Sequence, residues 1–259
     1  MACEIKIDNI TKYYGETLAL DDVSLSVNAG SIYGILGPNG SGKTTLMKII
    51  VSMLDPTSGF VSVCDYDPKK DSEELKKIIG YIPESPMLYE SLTPSEFISF
   101  IGSIRNIDSE TLKKRSETLA KAFEITSHMD EFIGSLSFGT KQKIAIISAI
   151  LHDPKILIVD EGMNGLDPRS ARIFKDLMIN MKSSGKIVIF STHIMEIAEN
   201  ICDSVAILYH GKIVANGTMD EIKNENRTKN ENLEDIFLKL TDSGDISNIV
   251  KTLRDNFEV

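Results

Sequence analysis

Nine consecutive residues, Gly37-Pro-Asn-Gly-Ser-Gly-Lys-Thr-Thr45, carry the clearest chemistry in the chain. Gly37 and Gly42 flank four residues, and Lys43 and Thr44 follow at once. A polyphosphate crowds negative oxygens into a small volume. A loop that holds it must present successive backbone N–H groups with no Cβ in the way. The run Gly37, Pro38, Asn39, Gly40, Ser41, Gly42 meets that need. Lys43 adds a point charge for the outer phosphates, Thr44 offers a hydroxyl to Mg²⁺, and Thr45 continues into a helix read over residues 44–54, whose positive N-terminus faces the same anion. Four fixed positions of this kind arise by chance in roughly 1% of chains this long, so composition alone does not account for them. The glycine spacing is not that of a dinucleotide fingerprint, and no nicotinamide or flavin site is indicated.

A phosphate loop is shared by kinases, GTPases and motor ATPases, so the reaction must be read from residues further on. Asp160 and Glu161 follow the aliphatic run Ile156-Leu-Ile-Val159. A buried strand there delivers Asp160 beside a hydrated Mg²⁺ and leaves Glu161 to orient or deprotonate a water for in-line attack on a γ-phosphate. His193 follows the next strand on the same side of a parallel sheet, where an imidazole reaches a γ-phosphate oxygen. His128, His152 and His210 have no such placement.

These groups need a frame. Alternating apolar residues predict strands over 4–10 and 18–27, with Thr11-Lys-Tyr-Tyr-Gly15 between them, and further strands over 31–36, 58–64 and 78–83. From residue 84 to about 134 apolar residues recur at helical spacing, which predicts a helical insertion entered through Thr93-Pro-Ser-Glu96, a capping-box start. A helix over 140–151 leads into the strand at 155–159. Helices over 169–181 and 194–200 then alternate with strands over 186–190 and 204–208, and a tight turn at 209–211 leads into a last strand over 212–215. Strands separated by helices imply an α/β core with a mainly parallel sheet, here with an N-terminal antiparallel β subdomain. Residues 1–225 are expected to form one domain with the helical insertion at about 84–150, and 226–259 a C-terminal helical tail striped by Leu233, Ile236, Phe237 and Leu240.

The 259 residues are 42% hydrophobic and 25% charged, an ordinary globular composition. A net charge of −10 opposes nucleic-acid binding, which depends on clustered Lys and Arg. Cys3, Cys64 and Cys202 are few, odd in number and far apart, so neither a disulfide framework nor a metal cluster is suggested, and a reducing cytosol is the natural compartment. The N-terminus lacks a basic-then-apolar leader, and no apolar run approaches the roughly 20 residues that span a bilayer.

Together these motifs resemble the nucleotide-binding subunit of ABC transporters over nearly the whole chain. Leu136-Ser-Phe-Gly-Thr140 is similar to that family's signature sequence and Asn164-Gly-Leu-Asp-Pro168 to its D-loop. The resemblance implies a P-loop ATPase using ATP and Mg²⁺. Tyr14 would stack on adenine, and Glu84 would stand at the Q-loop position near the metal. Ser137, Phe138, Gly139 and Thr140 would form the signature that faces a second ATPase subunit, Ser137 and Gly139 meeting the γ-phosphate bound there, with Asp167 crossing the interface. Three residues depart from the family pattern: Phe138 for a glycine, Thr140 for a glutamine, Glu84 for a glutamine. A fourth, Gly162, stands where proline is common. Residues 80–93 and 232–241 resemble the exporter branch of ABC-2 type, whose permease is a separate integral-membrane polypeptide. The chain would then sit at the cytoplasmic face of the cell membrane as a peripheral subunit. The alternative is a soluble ABC-type ATPase acting on ribosomes or DNA, and a small-molecule kinase is a third reading.

Overall fold

The computed structural model describes residues 3–225 and 232–241. Two sheets carry the strands. β1 (Glu4–Tyr14), β2 (Thr17–Asn28) and β4 (Ser58–Val63) form an antiparallel sheet in the order β2-β1-β4. The second sheet contains β3 (Ser31–Leu36), β5 (Ile79–Ile82), β6 (Ile156–Asp160), β7 (Ile187–Thr192), β8 (Ser204–Tyr209) and β9 (Lys212–Thr218), in the order β5-β6-β7-β3-β8-β9. It is parallel throughout except for β9, which returns antiparallel along β8. The strands β3, β6 and β7 end side by side, and each carries chemistry from its C-terminal end.

Those strands read as unbroken apolar runs because both faces are covered. In β6, Leu157 and Val159 point into the core beneath the helices, and Ile156 and Ile158 into the core shared with the antiparallel sheet. In β7, Val188 and Phe190 divide from Ile187 and Ile189 in the same way. Each wholly buried side chain of this size contributes on the order of 1.5–3 kcal/mol, so the two central strands are firmly anchored.

The phosphate loop leads into α1 (Lys43–Ile50), and α2 (Ser72–Ile78) precedes β5. α1 ends four residues earlier than residue 54, because Ser52 turns left-handed at φ 60° and the Met53 N–H closes back onto the Lys48 carbonyl at 2.8 Å. The insertion holds α3 (Pro94–Ile104), α4 (Ser109–Ala122) and α5 (Phe138–Ile150). The capping box at Thr93 and Glu96 is present in both directions, at 3.2 and 2.9 Å. α6 (Pro168–Ser183), α7 (Met195–Ile201), α8 (Met219–Glu225) and α9 (Leu233–Leu240) are the remaining α-helices among the described residues. α9 lies on its own domain: Leu233 and Ile236 are fully buried, and the Glu199 carboxylate on α7 accepts from the Leu233 N–H at 3.1 Å and pairs with Lys223 at 3.0 Å. The rest of the expected tail, 226–231 and 242–259, falls outside the described residues.

Two expectations are corrected. Residues 11–14 are strand, not connection, since β1 runs through Tyr14 and pairs it with Thr17 across the hairpin. Cys3 and Cys64, which suggested no disulfide, are joined in one. Antiparallel pairing explains it: β4 lies along β1 with Ile5 opposite Val63, and the Cys64 N–H reaches the Glu4 carbonyl at 2.8 Å. Residues 61 apart in sequence therefore meet.

Polar groups pin the insertion to the core. Arg105 donates to the Lys76 carbonyl and Arg115 to the Leu151 carbonyl. The His152 ring donates from Nε2 to the Ile79 carbonyl at 3.0 Å, and its Nδ1 is buried without a partner among the described residues. Burial, then the nearby Arg105 cation, pushes the His152 pKa from its ordinary 6.5 down to about 4. The unfolded chain takes up this proton first, so the stability that neutral His152 supports is complete above about pH 6.5 and is lost as pH falls toward about 4. The thermal unfolding temperature of a His152→Gln variant is expected to fall less between those limits than that of the parent chain. Parallel melts across the range check it.

Candidate functional site

The phosphate loop owes its shape to its glycines. A Cβ on Gly37, whose φ is +151°, would come within 2.1 Å of the Leu208 carbonyl oxygen, and one on Gly42, at φ +110°, within 2.7 Å of the Ala19 carbonyl. Neither position admits another residue without moving backbone. The loop opens on a cavity of about 310 Å³ lined by Ala19, Asn39, Gly40, Gly42, Lys43, Thr44, Thr45, Glu84 and Glu161. Gly37, Pro38 and Ser41 support it from behind: the Lys43 ammonium donates to the Gly37 and Pro38 carbonyls at 2.9 and 3.1 Å, and Ser41 is buried. Tyr14 is not in this lining. It stands half exposed at the β1–β2 hairpin with the Lys12 ammonium 5.4 Å from its ring centre.

Two acids arrive on β6. Asp160 is fully buried; its Oδ1 accepts from the Ser191 hydroxyl at 2.7 Å, and its Oδ2 has no partner among the described residues. A buried carboxylate oxygen left unpaired is costly, and a hydrated cation would satisfy it; Thr44 and Glu84 line the phosphate cavity beside Glu161, the residue next to Asp160, so these oxygen donors fit Mg²⁺. Burial, followed by the Asp160 and Glu84 charges, raises the pKa of the neighbouring Tyr81 phenol. Among the described residues no cluster of three His, Cys, Asp or Glu forms a ready-made metal cage.

Glu161 sits just past the strand with φ 50°, a left-handed conformation that costs a residue with a Cβ roughly 1–2 kcal/mol. Four contacts hold it there. Its N–H donates to Ser191 Oγ at 3.0 Å, and its Oε1 faces the Lys43 ammonium at 3.4 Å. Its Oε2 receives His193 Nδ1–H at 2.9 Å and the Asn164 amide at 3.3 Å. The side chains of Lys43 and Glu161 are 5% and 7% exposed, so the pair is nearly dry; His193, at 45%, keeps an open face. The structure thus joins Lys43 and His193 directly to Glu161, and Asp160 to it through Ser191.

Ser191, Ala19 and Asn164 belong to this site and were given no role from sequence. Ser191 was legible only as part of Phe190-Ser-Thr-His193, because its importance comes from lying opposite Asp160 in the β6–β7 register. Ala19 contributes shape and carries no chemical signal.

The signature segment faces elsewhere. Ser137, Phe138, Gly139 and Thr140 do not line their own chain's phosphate cavity. The helix starts at Phe138 rather than after Gly139, with Ser137 capping it by accepting the Thr140 N–H at 3.2 Å. The Phe138 ring is half exposed and covers Gly165, where a Cβ would meet it at 2.6 Å, and a Cβ on Gly139 would strike the Gly165 carbonyl at 2.5 Å. Asp167 is engaged within its own chain. It caps α6 through Ser170 at 2.9 and 2.7 Å and pairs with Lys143 at 2.7 Å, and Lys143 first, with Ser170, holds its carboxyl far below the usual range.

Comparison with known proteins identifies the family. A family model described as "ABC transporter" matches residues 20–164. The Bacillus subtilis "ABC transporter ATP-binding protein NatA" is 36% identical over 221 residues, spanning 85% of this chain and 89% of that protein. The chain belongs to the ABC transporter family. A model described as "AAA domain, putative AbiEii toxin, Type IV TA system" matches only residues 133–199. A solved "ATP binding subunit of ABC transporter" superposes with a TM-score of 0.87 at 30% identity, covering 91% of this chain and 98% of that one. A dimeric ATP-binding cassette solved in a post-hydrolysis state with ADP and Pi superposes with a TM-score of 0.75 at 27% identity, covering 83% and 98%. As a member of this family the chain is an ATP-binding subunit and an ATPase.

The backbone contacts at Gly37 set one test. A Gly37→Ala variant is expected to melt at least about 5 °C lower and to lose ATP binding, because the new methyl would run into the Leu208 carbonyl and the Ser41 hydroxyl. Thermal melts and nucleotide titration measure both.

Proposed function

We propose that this chain is the motor of an exporter of the ABC-2 type, whose permease is a separate membrane polypeptide. Two ATPase subunits, identical or homologous, close head to tail, with each ATP held between one phosphate loop and the other subunit's signature. The observation that carries this is that Lys43 pairs with Glu161 at the phosphate cavity, with His193 bound to Glu161 and Asp160 joined to it through Ser191, while no signature residue lines that cavity. A half-site that faces outward needs a second molecule. The dimeric solved relative supports that pairing.

In this reading Gly37 through Thr45 cradle the phosphates, Lys43 exchanges Glu161 for phosphate oxygens, and Tyr14 packs on the base. Thr44, Asp160 and Glu84 hold Mg²⁺, which supplies charge neutralisation for the leaving phosphates. Glu161 takes a proton from the attacking water, whose oxygen bonds the γ-phosphorus as the bond to ADP breaks. With Nδ1–H committed to Glu161, His193 donates to a phosphate oxygen from Nε2 only as an imidazolium. Ser137, Phe138, Gly139, Thr140 and Asp167 complete the partner's pocket.

Residues 1–225 are assigned to the ATPase domain, with the insertion at about 84–150, and 226–259 to the tail. The permease is assigned to a groove of about 460 Å³ between core and insertion, where Met53 and Met87 are exposed beside Leu88, Phe97 and Ile101. Residues 84–89 join this groove to the phosphate cavity, so loss of the γ-phosphate reaches the permease through them. No helix among the described residues is long and apolar enough to cross a membrane, in keeping with a peripheral place at the cytoplasmic face. No nucleic-acid partner is assigned.

Glu161→Gln is expected to lower turnover by roughly 10²–10⁴-fold and to leave an ATP-dependent dimer on size exclusion. Unchanged turnover would remove Glu161 from its role. Lys43→Ala is expected to weaken ATP about tenfold or more by titration. Copurification from gently solubilised membranes should bring down an integral membrane protein, and Met87→Glu should release it.

A further inference from the structure

We propose that Asn164 is a positioning residue for ATP hydrolysis, turning the Glu161 carboxylate so that one oxygen stays free for the attacking water; this rests on the role given to Glu161 above. The carboxylate divides its two oxygens between different kinds of partner. Oε2 receives two N–H donors, His193 Nδ1 at 2.9 Å and Asn164 Nδ2 at 3.3 Å. Among the described residues Oε1 faces only the Lys43 ammonium, at 3.4 Å. Lys43 is the group that phosphate oxygens claim, so nucleotide binding releases Oε1 and leaves Oε2 held. An oxygen that already accepts two N–H bonds has little capacity for a third, and the freed one becomes the base.

His193 cannot hold this rotation by itself. It is nearly half exposed, and its ring must also serve the phosphate side. Asn164 is tied through its backbone as well: its N–H closes a turn onto the Glu161 carbonyl at 3.1 Å, so one residue holds both ends of Glu161. The next residue, Gly165, continues at φ +76° under the Phe138 ring. Within this turn the Gln142 amide also donates to the Gly162 carbonyl at 2.9 Å. The amide of Asn164 is therefore presented by a clamped turn, and it is a donor that aspartate, its isostere, cannot replace.

The test compares Asn164→Ala and Asn164→Asp with the parent chain, measuring kcat, KM for ATP and ATP affinity by titration. Ala removes the donor and should lower kcat about tenfold with KM within roughly twofold. Asp keeps the shape and the turn but sets a second carboxylate against Glu161, so its kcat should fall below that of Ala. Asn164→Ser, a shorter donor, should recover part of the loss. A role confined to shape gives the opposite order, with Asp close to the parent and Ala worst, and that order overturns the proposal. So does a full parental kcat in Asn164→Ala.

The same changes made in the Glu161→Gln background separate the remaining possibilities. There Asn164→Ala should leave both residual turnover and the ATP-dependent dimer unchanged. A weakened dimer would place Asn164 at the partner surface instead, and an undiminished loss of turnover would place it outside the Glu161 network. If Glu161→Gln itself turns over normally, the reading of Glu161 fails, whatever Asn164 does. Circular dichroism and melting temperature confirm that each variant is folded; should Asn164→Ala unfold, the Asp and Ser variants alone still rank the two models.

Discussion

A lysine and a glutamate that have almost no water between them constrain the rest of the molecule. Lys43 belongs to the loop after β3 and Glu161 to the turn after β6, and β7 lies between those two strands in the sheet. Opposite charges attract strongly once solvent is excluded, but burying either one alone costs several kcal/mol. The loop glycines, the apolar strands and the β6–β7 register must therefore all bring the two groups to the same depth. Ser191, on the intervening strand, is the joint: one hydroxyl donates to Asp160 and accepts the Glu161 N–H.

The reactive turn is gripped from the other side by the insertion. Gln142 on α5 reaches the Gly162 carbonyl, and Gly139 packs against Gly165 with no room for a methyl between them. Lys143 on the same helix pairs with Asp167 at the start of α6. The helix that presents the signature outward thus also braces the segment that bears Glu161. A displacement of the insertion is felt at the carboxylate through backbone-level contacts rather than through solvent-exposed charge pairs, which carry little energy.

Much of this was legible in the sequence because the chemistry dictates residue type. The phosphate loop needs glycine at positions where any Cβ meets a carbonyl, and the capping box at Thr93 and Glu96 is a local pattern that needs no tertiary partner. The buried strands announced themselves as aliphatic runs. What could not be read depends on register between distant segments. Ser191 matters because it lies beside Asp160, Ala19 because it walls the cavity, and the Cys3–Cys64 disulfide because β4 runs back along β1. Asn164 opens the motif Asn164-Gly-Leu-Asp-Pro168, yet nothing in spacing tells which way its amide turns. The extension of β1 to Tyr14 escaped for a similar reason: its register shifts at Ile10 and Lys12 break the alternation that marks a strand.

Phe138 and Gly165 belong to different motifs and yet occupy one volume. An aromatic ring at the first position leaves space only for a hydrogen at the second, and shrinking the ring would bare the backbone beneath it to solvent. A chimera that exchanges this segment of one cassette for another's therefore changes the ring that lies over residue 165 unless the stretch around that residue travels with it. The transferable unit is a pair of segments, contiguous in space though separated along the chain.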